Sequence, residues 1–130
     1  MLSISSNVGI FLDLGPTDMR KSFCGLSRLV YSHLGCPQDG NYYVFVNRRR
    51  THVKILYWDG DGLALWYKRL EKGQFVVPQE QGRKLALDRR DLALLLERVT
   101  PLRKEGRFTL KKMLKIFYNT LKSYVVILPF

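Results

Sequence analysis

The chain is poor in the features that would commit it to a membrane, a metal or a disulfide. No stretch reaches the roughly 18 consecutive apolar residues that a membrane-spanning helix needs. The opening MLSISSNVGIFLDLG lacks a basic leader and carries an acid at Asp13, which makes it a poor signal peptide. A cytoplasmic location without membrane contact is therefore expected. Only two cysteines are present, Cys24 and Cys36. A helix between them would hold their Cα atoms about 18 Å apart, beyond disulfide reach. With two histidines, His33 and His52, they match no zinc-finger spacing. Neither a metal nor another cofactor is expected.

Acids are also scarce, 11 against 22 Lys and Arg. Metal-dependent phosphoryl chemistry needs several carboxylates converging on one ion. Nearly all the acids stand where turns and helix caps want them, and Asp59 and Asp61, the one close pair, belong to a two-glycine hairpin turn. No glycine-rich phosphate loop, nucleophile elbow or Cys–His couple is present. The chain is therefore not expected to be an enzyme.

What is abundant is positive charge. A net +11 on 130 residues, with the cations clustered, points to a polyanionic partner. The length suits a single domain burying about two-thirds of its unfolded surface. Residues 1–102 read as that domain and residues 103–130 as a basic tail. In the tail, Leu110, Met113, Leu114, Phe117, Tyr118 and Leu121 fit one stripe of an amphipathic helix over Thr109–Lys122.

The domain is organised around YYVFVNRRRTHVKILYWDGDGLALWYKRL, Tyr42–Leu70. Three runs rich in β-branched and aromatic residues, Tyr42–Val46, His52–Trp58 and Leu63–Arg69, alternate with the turns Asn47–Arg50 and Asp59–Gly62. Asp-Gly supplies the positive φ a tight hairpin needs. The pattern predicts a three-stranded antiparallel meander, with Val46 facing Thr51 across the first turn. Alternation puts Tyr42, Val44, Val46, Val53, Ile55, Tyr57, Ala64, Trp66 and Leu70 on a core face. The other face mixes aromatics with cations, including Tyr43, Lys54, Tyr67 and Arg69, and reads as partly covered or partner-binding.

On either side lie shorter signals. Val8–Leu14 reads as a strand at or near a sheet edge. Thr17 or Asp18 can cap a helix whose stripe is Met19, Phe23, Leu26, Val30 and Leu34, ended by Gly35. Gln74–Val77 and Arg83–Leu87 are short strand candidates. Asp88 and Asp91 suit the start of a Leu-rich helix with Leu92, Leu95, Leu96 and Val99 inward, stopped by Thr100-Pro101. The expected fold class is α+β: a meander with short extra strands, an N-terminal helix and a Leu-rich C-terminal helix packed on it.

Two motifs, PTDMRKSFCGL and NRRRTHVKILYWDGDGLALWYKRLEKGQF, closely resemble the small accessory protein encoded by the second reading frame of the sixty-six-type bacterial insertion sequences. The resemblance runs from about Val8 to Val99. It implies a non-catalytic role in transposition, with strand transfer performed by a separate, larger transposase. DNA and that transposase are the expected partners. Arg48, Arg49 and Arg50 at the hairpin tip, with Lys54, Lys68, Arg69, Arg20 and Lys21, are the candidate nucleic-acid contacts, and Lys68, Arg69 and Lys72 are placed at the far end of the sheet from the tip. Trp58, Trp66, Tyr43 and Tyr67 are candidate base-stacking rings. The alternative is an adaptor that meets acidic patches on the transposase or a host factor without touching DNA.

Overall fold

Alternating β-branched and aromatic residues, interrupted by turn chemistry, fold the middle of the chain into strands at the predicted residues. The computed structural model describes residue 4 and residues 7–97; Val99, the Thr100-Pro101 stop and the tail helix lie outside them. The elements are β1 (Ile10–Asp13), α1 (Phe23–Leu29, continued as a π-helical stretch Val30–Leu34), β2 (Tyr42–Val46), β3 (His52–Trp58), β4 (Leu63–Arg69), β5 (Lys84–Leu87) and α2 (Arg89–Glu97). The fold is α+β, with a five-stranded mixed sheet in the order β4-β3-β2-β1-β5. Among the described residues no helix is long and apolar enough to cross a membrane.

Strands β2, β3 and β4 pair antiparallel, Val44 with Ile55 and Ile55 with Trp66. Val46 faces Val53 rather than Thr51. Asn47 closes the tip instead: its Oδ1 accepts the N–H groups of Thr51 at 2.8 Å and His52 at 3.0 Å. At the other turn Gly60 has φ +80 and Asp59 N–H donates to the Gly62 carbonyl, as an Asp-Gly loop requires.

Strand β1 lies near the edge as expected, one strand in from it. It pairs parallel with β2 and antiparallel with β5, Ile10 facing both Tyr42 and Leu87. The parallel pair needs a crossover, which α1 supplies; β5 then occupies the edge. Sequence spacing within Val8–Leu14 carries no information about either neighbour.

The two faces are both covered. On one, Val44, Val46, Val53 and Ile55 pack with Ile10, Leu12, Phe75, Leu92, Leu95 and Leu96. On the other, Tyr43, Phe45 and Leu56 are sealed under Leu26, Val30 and Leu34 of the helix. The second face is thus core over β2 and β3, and only its β4 side remains open, where Tyr67 is exposed. Helix α1 begins at Phe23, itself exposed, with Ser22 before it making no side-chain cap. The predicted caps serve other ends: Thr17 N–H donates to the Val46 carbonyl, and Asp18 turns back on the Arg20 N–H. Residues 17–22 therefore run as a loop over the end of β2. By contrast Asp88 and Asp91 cap α2 reciprocally, Asp91 N–H to Asp88 Oδ1 at 2.7 Å and Asp88 N–H to Asp91 Oδ2 at 3.1 Å, satisfying otherwise orphaned donors.

The strand expected at Gln74–Val77 does not form. The segment is irregular, and Phe75 drops from it into the core.

Tyr43 is buried, and its hydroxyl donates to Asp39 Oδ2 at 2.5 Å. It lies where a Cβ on Gly35 would come within 2.7 Å, which is why the helix ends in glycine. Burial, with the Asp39 carboxylate as a further cause, raises the phenol to about 12. A phenol raised in the folded state contributes stability that is complete below its ordinary value near 10 and lost as pH climbs from there towards 12. Tyr43→Phe should accordingly show a shallower fall in melting temperature between about pH 10 and about pH 12 than the parent, measured by thermal denaturation. An equal fall in both would show that Tyr43 ionisation does not govern alkaline stability.

Candidate nucleic-acid interface

The strand directions decide where the charges go. β1 and β2 both run towards the Asn47–Thr51 tip, β3 and β5 start from that end, and β4 returns to it with Arg69 opposite His52. All five strands therefore deliver their tip-end residues and loops to one end of the sheet. Arg48 and Arg49 are exposed and Arg50 half-buried at its centre. Lys68 and Arg69 stand beside them, not at the far end, because an antiparallel return cannot place them there. Alternation then separates this pair. Lys68 points to the α2 face, its Nζ donating to the Leu96 carbonyl at 3.3 Å. Arg69 points to the opposite face and pairs with Glu71 at 3.1 Å.

Arg20 and Lys21 reach the same end through the loop over β2. Arg20 holds Asp18 at 2.6 Å, and its hydrogen bonds lower that carboxyl to about 2. The pair is solvent-exposed, where such bridges contribute little. The sequence did not single out Arg83 and Lys84. They reach this end because β5 runs antiparallel to β1, Lys84 facing Asp13. Arg83 Nε donates to the buried Asp13 Oδ1 at 2.6 Å, and Lys84 Nζ sits 4.1 Å from the Phe11 ring centre. None of the ion pairs among the described residues involves Arg48, Arg49, Arg50, Lys21 or Lys72. The opposite end carries Asp39, Asp59 and Asp61 in its turns, while Asp18, Glu71 and Asp13 at the basic end are each paired with an arginine.

Lys54 is the exception among the expected contacts. It is 6% exposed, and its Nζ donates to the carbonyls of Met19 at 2.9 Å and Lys21 at 2.7 Å. It also lies 4.7 Å from the Tyr67 ring centre. Its ammonium ties the Arg20–Lys21 loop to β3 and is turned away from solvent, so it is left out of the interface. Lys54→Met should lower stability by about 2 kcal/mol, because two acceptors lose their donor, while leaving the salt dependence of any DNA binding unchanged. A flatter salt slope without loss of melting temperature would return Lys54 to the surface.

The aromatic candidates divide likewise. Tyr43 is core; Trp58 is half-buried beside the acidic turn; Tyr67 is exposed near the basic end, beside His52 at 5.9 Å between ring centres. Trp66 lines an apolar groove of about 420 Å³ with Ile4, Leu92, Ala93 and Leu96, rimmed by Lys68, Arg89 and Glu97. A second recess, about 280 Å³, opens in the basic end between the tip, the end of β1 and residues 77–80. Cys24 and Cys36 are both free thiols. Among the described residues no three His, Cys, Asp or Glu gather as metal ligands.

Fold and site together define a small α+β protein with a cluster of cations at one end of its sheet. The chain belongs to the family described as IS66 Orf2 like protein, whose family model matches residues 8–105, and so has an accessory role in transposition. Two proteins of Sinorhizobium fredii (strain NBRC 101917 / NGR234) are similar to it. Uncharacterized protein y4hO is 38% identical over 97 residues, 74% of this chain and 84% of that one. Uncharacterized protein y4jC is 33% identical over 97 residues, 74% of this chain and 83% of that one. No solved structure matches the chain.

Proposed function

We propose that the chain serves transposition as a non-catalytic DNA-contacting protein whose basic sheet end grips duplex phosphates. One observation carries this reading: the strand register brings the Arg48–Arg50 tip and Arg69 to one end of the sheet, where Lys54 also fastens the loop that carries Lys21. Adjacent guanidinium groups repel one another and gain from a neutralising polyanion. Arg48 to Arg50 hold the centre, and Lys68 and Arg20 flank them. Phosphate binding releases counterions, so log K falls with log salt by about 0.9 per contact on duplex DNA. Titration of element-end and scrambled duplexes at several salt concentrations should give a slope of several contacts for both. No affinity for either duplex at low salt would overturn the reading.

The apolar groove beside Trp66 favours a second reading, an adaptor that docks the transposase. A stable complex with the transposase, formed without DNA and lost on changing Trp66→Ala, is the outcome that would favour it over DNA contact.

A further inference from the structure

The recess at the basic end has a shape and lining that phosphate gripping alone does not call for. It lies where three pieces of chain converge: the end of β1 at Leu14–Pro16, the tip at Val46–Arg50, and the irregular segment Val77–Glu80. Leu14, Val46, Val77 and Pro78 give it apolar walls. Arg48 and Arg50 stand at its rim, and Gln79 and Glu80 bring amide and carboxylate groups to its lining. Two further polar groups there serve the fold: Asp13 accepts from Arg83 and from the Gly15 N–H, and Asn47 holds the tip.

We infer that this recess takes one unpaired nucleobase from DNA held at the basic end, an inference that rests on the DNA-contacting reading above. Its volume, about 280 Å³, falls just below the range of about 300–1,000 Å³ typical of small-molecule pockets. A single base fits such a space and a stacked base pair does not. Apolar walls accept the two π-faces of a base, as apolar side chains do in pockets that hold an unstacked base. Cations at the rim meet the phosphates on either side of the unstacked nucleotide. A carboxylate has lone pairs enough to accept from an exocyclic amino group alongside a protein partner. Glu recognises cytosine N4 by this chemistry, so Glu80 favours adenine, cytosine or guanine over thymine. Unstacking is least costly where the base already lacks a partner. The ligand class is therefore a duplex end or discontinuity carrying an unpaired nucleotide.

The test compares a blunt duplex with the same duplex carrying one unpaired nucleotide at its end, each of the four bases in turn, by fluorescence anisotropy of the full chain. The expected result is about tenfold tighter binding of the unpaired adenine, cytosine or guanine form, the size of one hydrogen-bonded base contact, with a smaller gain for thymine. A fluorescent adenine analogue at that position should be quenched on binding. Val77→Trp, which fills the recess, should abolish the gain while leaving blunt-duplex affinity as it was. If that variant does not fold, Glu80→Ala should erase the preference against thymine. Equal affinity for blunt and unpaired forms would overturn the inference and leave the DNA-contacting reading standing. Absence of binding to every duplex would overturn both.

Discussion

Phe75→Ala should be among the most damaging single changes in the chain, costing about 3–5 kcal/mol, the usual range for emptying a buried aromatic site. Phe75 is 1% exposed and packs in the cluster with Val44, Val46, Val53 and Leu92. Its segment has no strand partner to hold it once the ring is gone. Two hydrogen bonds fasten this segment to the tip, Phe75 N–H to the Arg50 carbonyl at 2.7 Å and Gln74 Nε2 to the Arg49 carbonyl at 2.8 Å. The ring thus anchors from inside the same turn that carries the arginines outside. Typical domains have about 5–15 kcal/mol in all, so the loss should lower the melting temperature by on the order of 10 °C or more. Amide exchange at Phe75 and in the tip should accelerate together. A fall of only a few degrees, with tip exchange unchanged, would mean that the segment is held by its backbone alone.

The largest effect on binding is expected from replacing Arg48, Arg49 and Arg50 together by alanine. The tip hydrogen bonds use their main-chain atoms: Arg50 N–H donates to the Asn47 carbonyl, and the Arg49 and Arg50 carbonyls accept from Gln74 and Phe75. Asn47 makes the remaining closures. Removing three guanidinium groups should therefore leave stability within about 0.5 kcal/mol. Arg50 has φ +60, a conformation that costs alanine much what it costs arginine, so that strain cancels between the two chains. On duplex DNA the salt slope should flatten by up to about 2.7, three contacts at about 0.9 each, for all sequences alike. Were one arginine reading a guanine edge, its single replacement would cost about 1–3 kcal/mol on a preferred site alone. An unchanged slope would leave the tip as a solvated turn.

The meander was legible because each of its strands alternates and its second turn carries Asp-Gly, signals that neighbours in sequence supply to one another. The capping of α2 by Asp88 and Asp91 was legible for the same reason. What could not be read depends on partners distant in the chain. The interior position of β1 follows from β5, whose flanking Arg83 meets Asp13 across 70 residues. Helix α1 starts only at Phe23 because Lys54, far along the chain, claims the Met19 and Lys21 carbonyls that a longer helix would have used internally. Gln74–Val77 reads as a strand because a buried phenylalanine between apolar neighbours has the same composition whether or not a ladder receives it. The arginine tip was visible as a motif, but its neighbours Arg83 and Lys84 were not, since only the register of β5 against β1 brings them to that end.

The pairing of β1 with β2 on one side and β5 on the other sets an order in time. The β2–β3–β4 hairpins close over short loops and can form as soon as they are synthesised. The outer edge of β1 must wait for β5, whose first residues follow it by about 70 positions. Synthesis at about 5–20 residues per second leaves the nascent chain for about 1–4 seconds, the time from the end of β4 at Arg69 to the end of β5 at Leu87, with a completed meander and an unpaired strand on its flank. Such an edge is a template for association with other chains. Closing a loop of this length also slows the final step relative to local pairing. The flank that ends in β5 is thus the last part of the sheet to form and the most exposed to capture while it does.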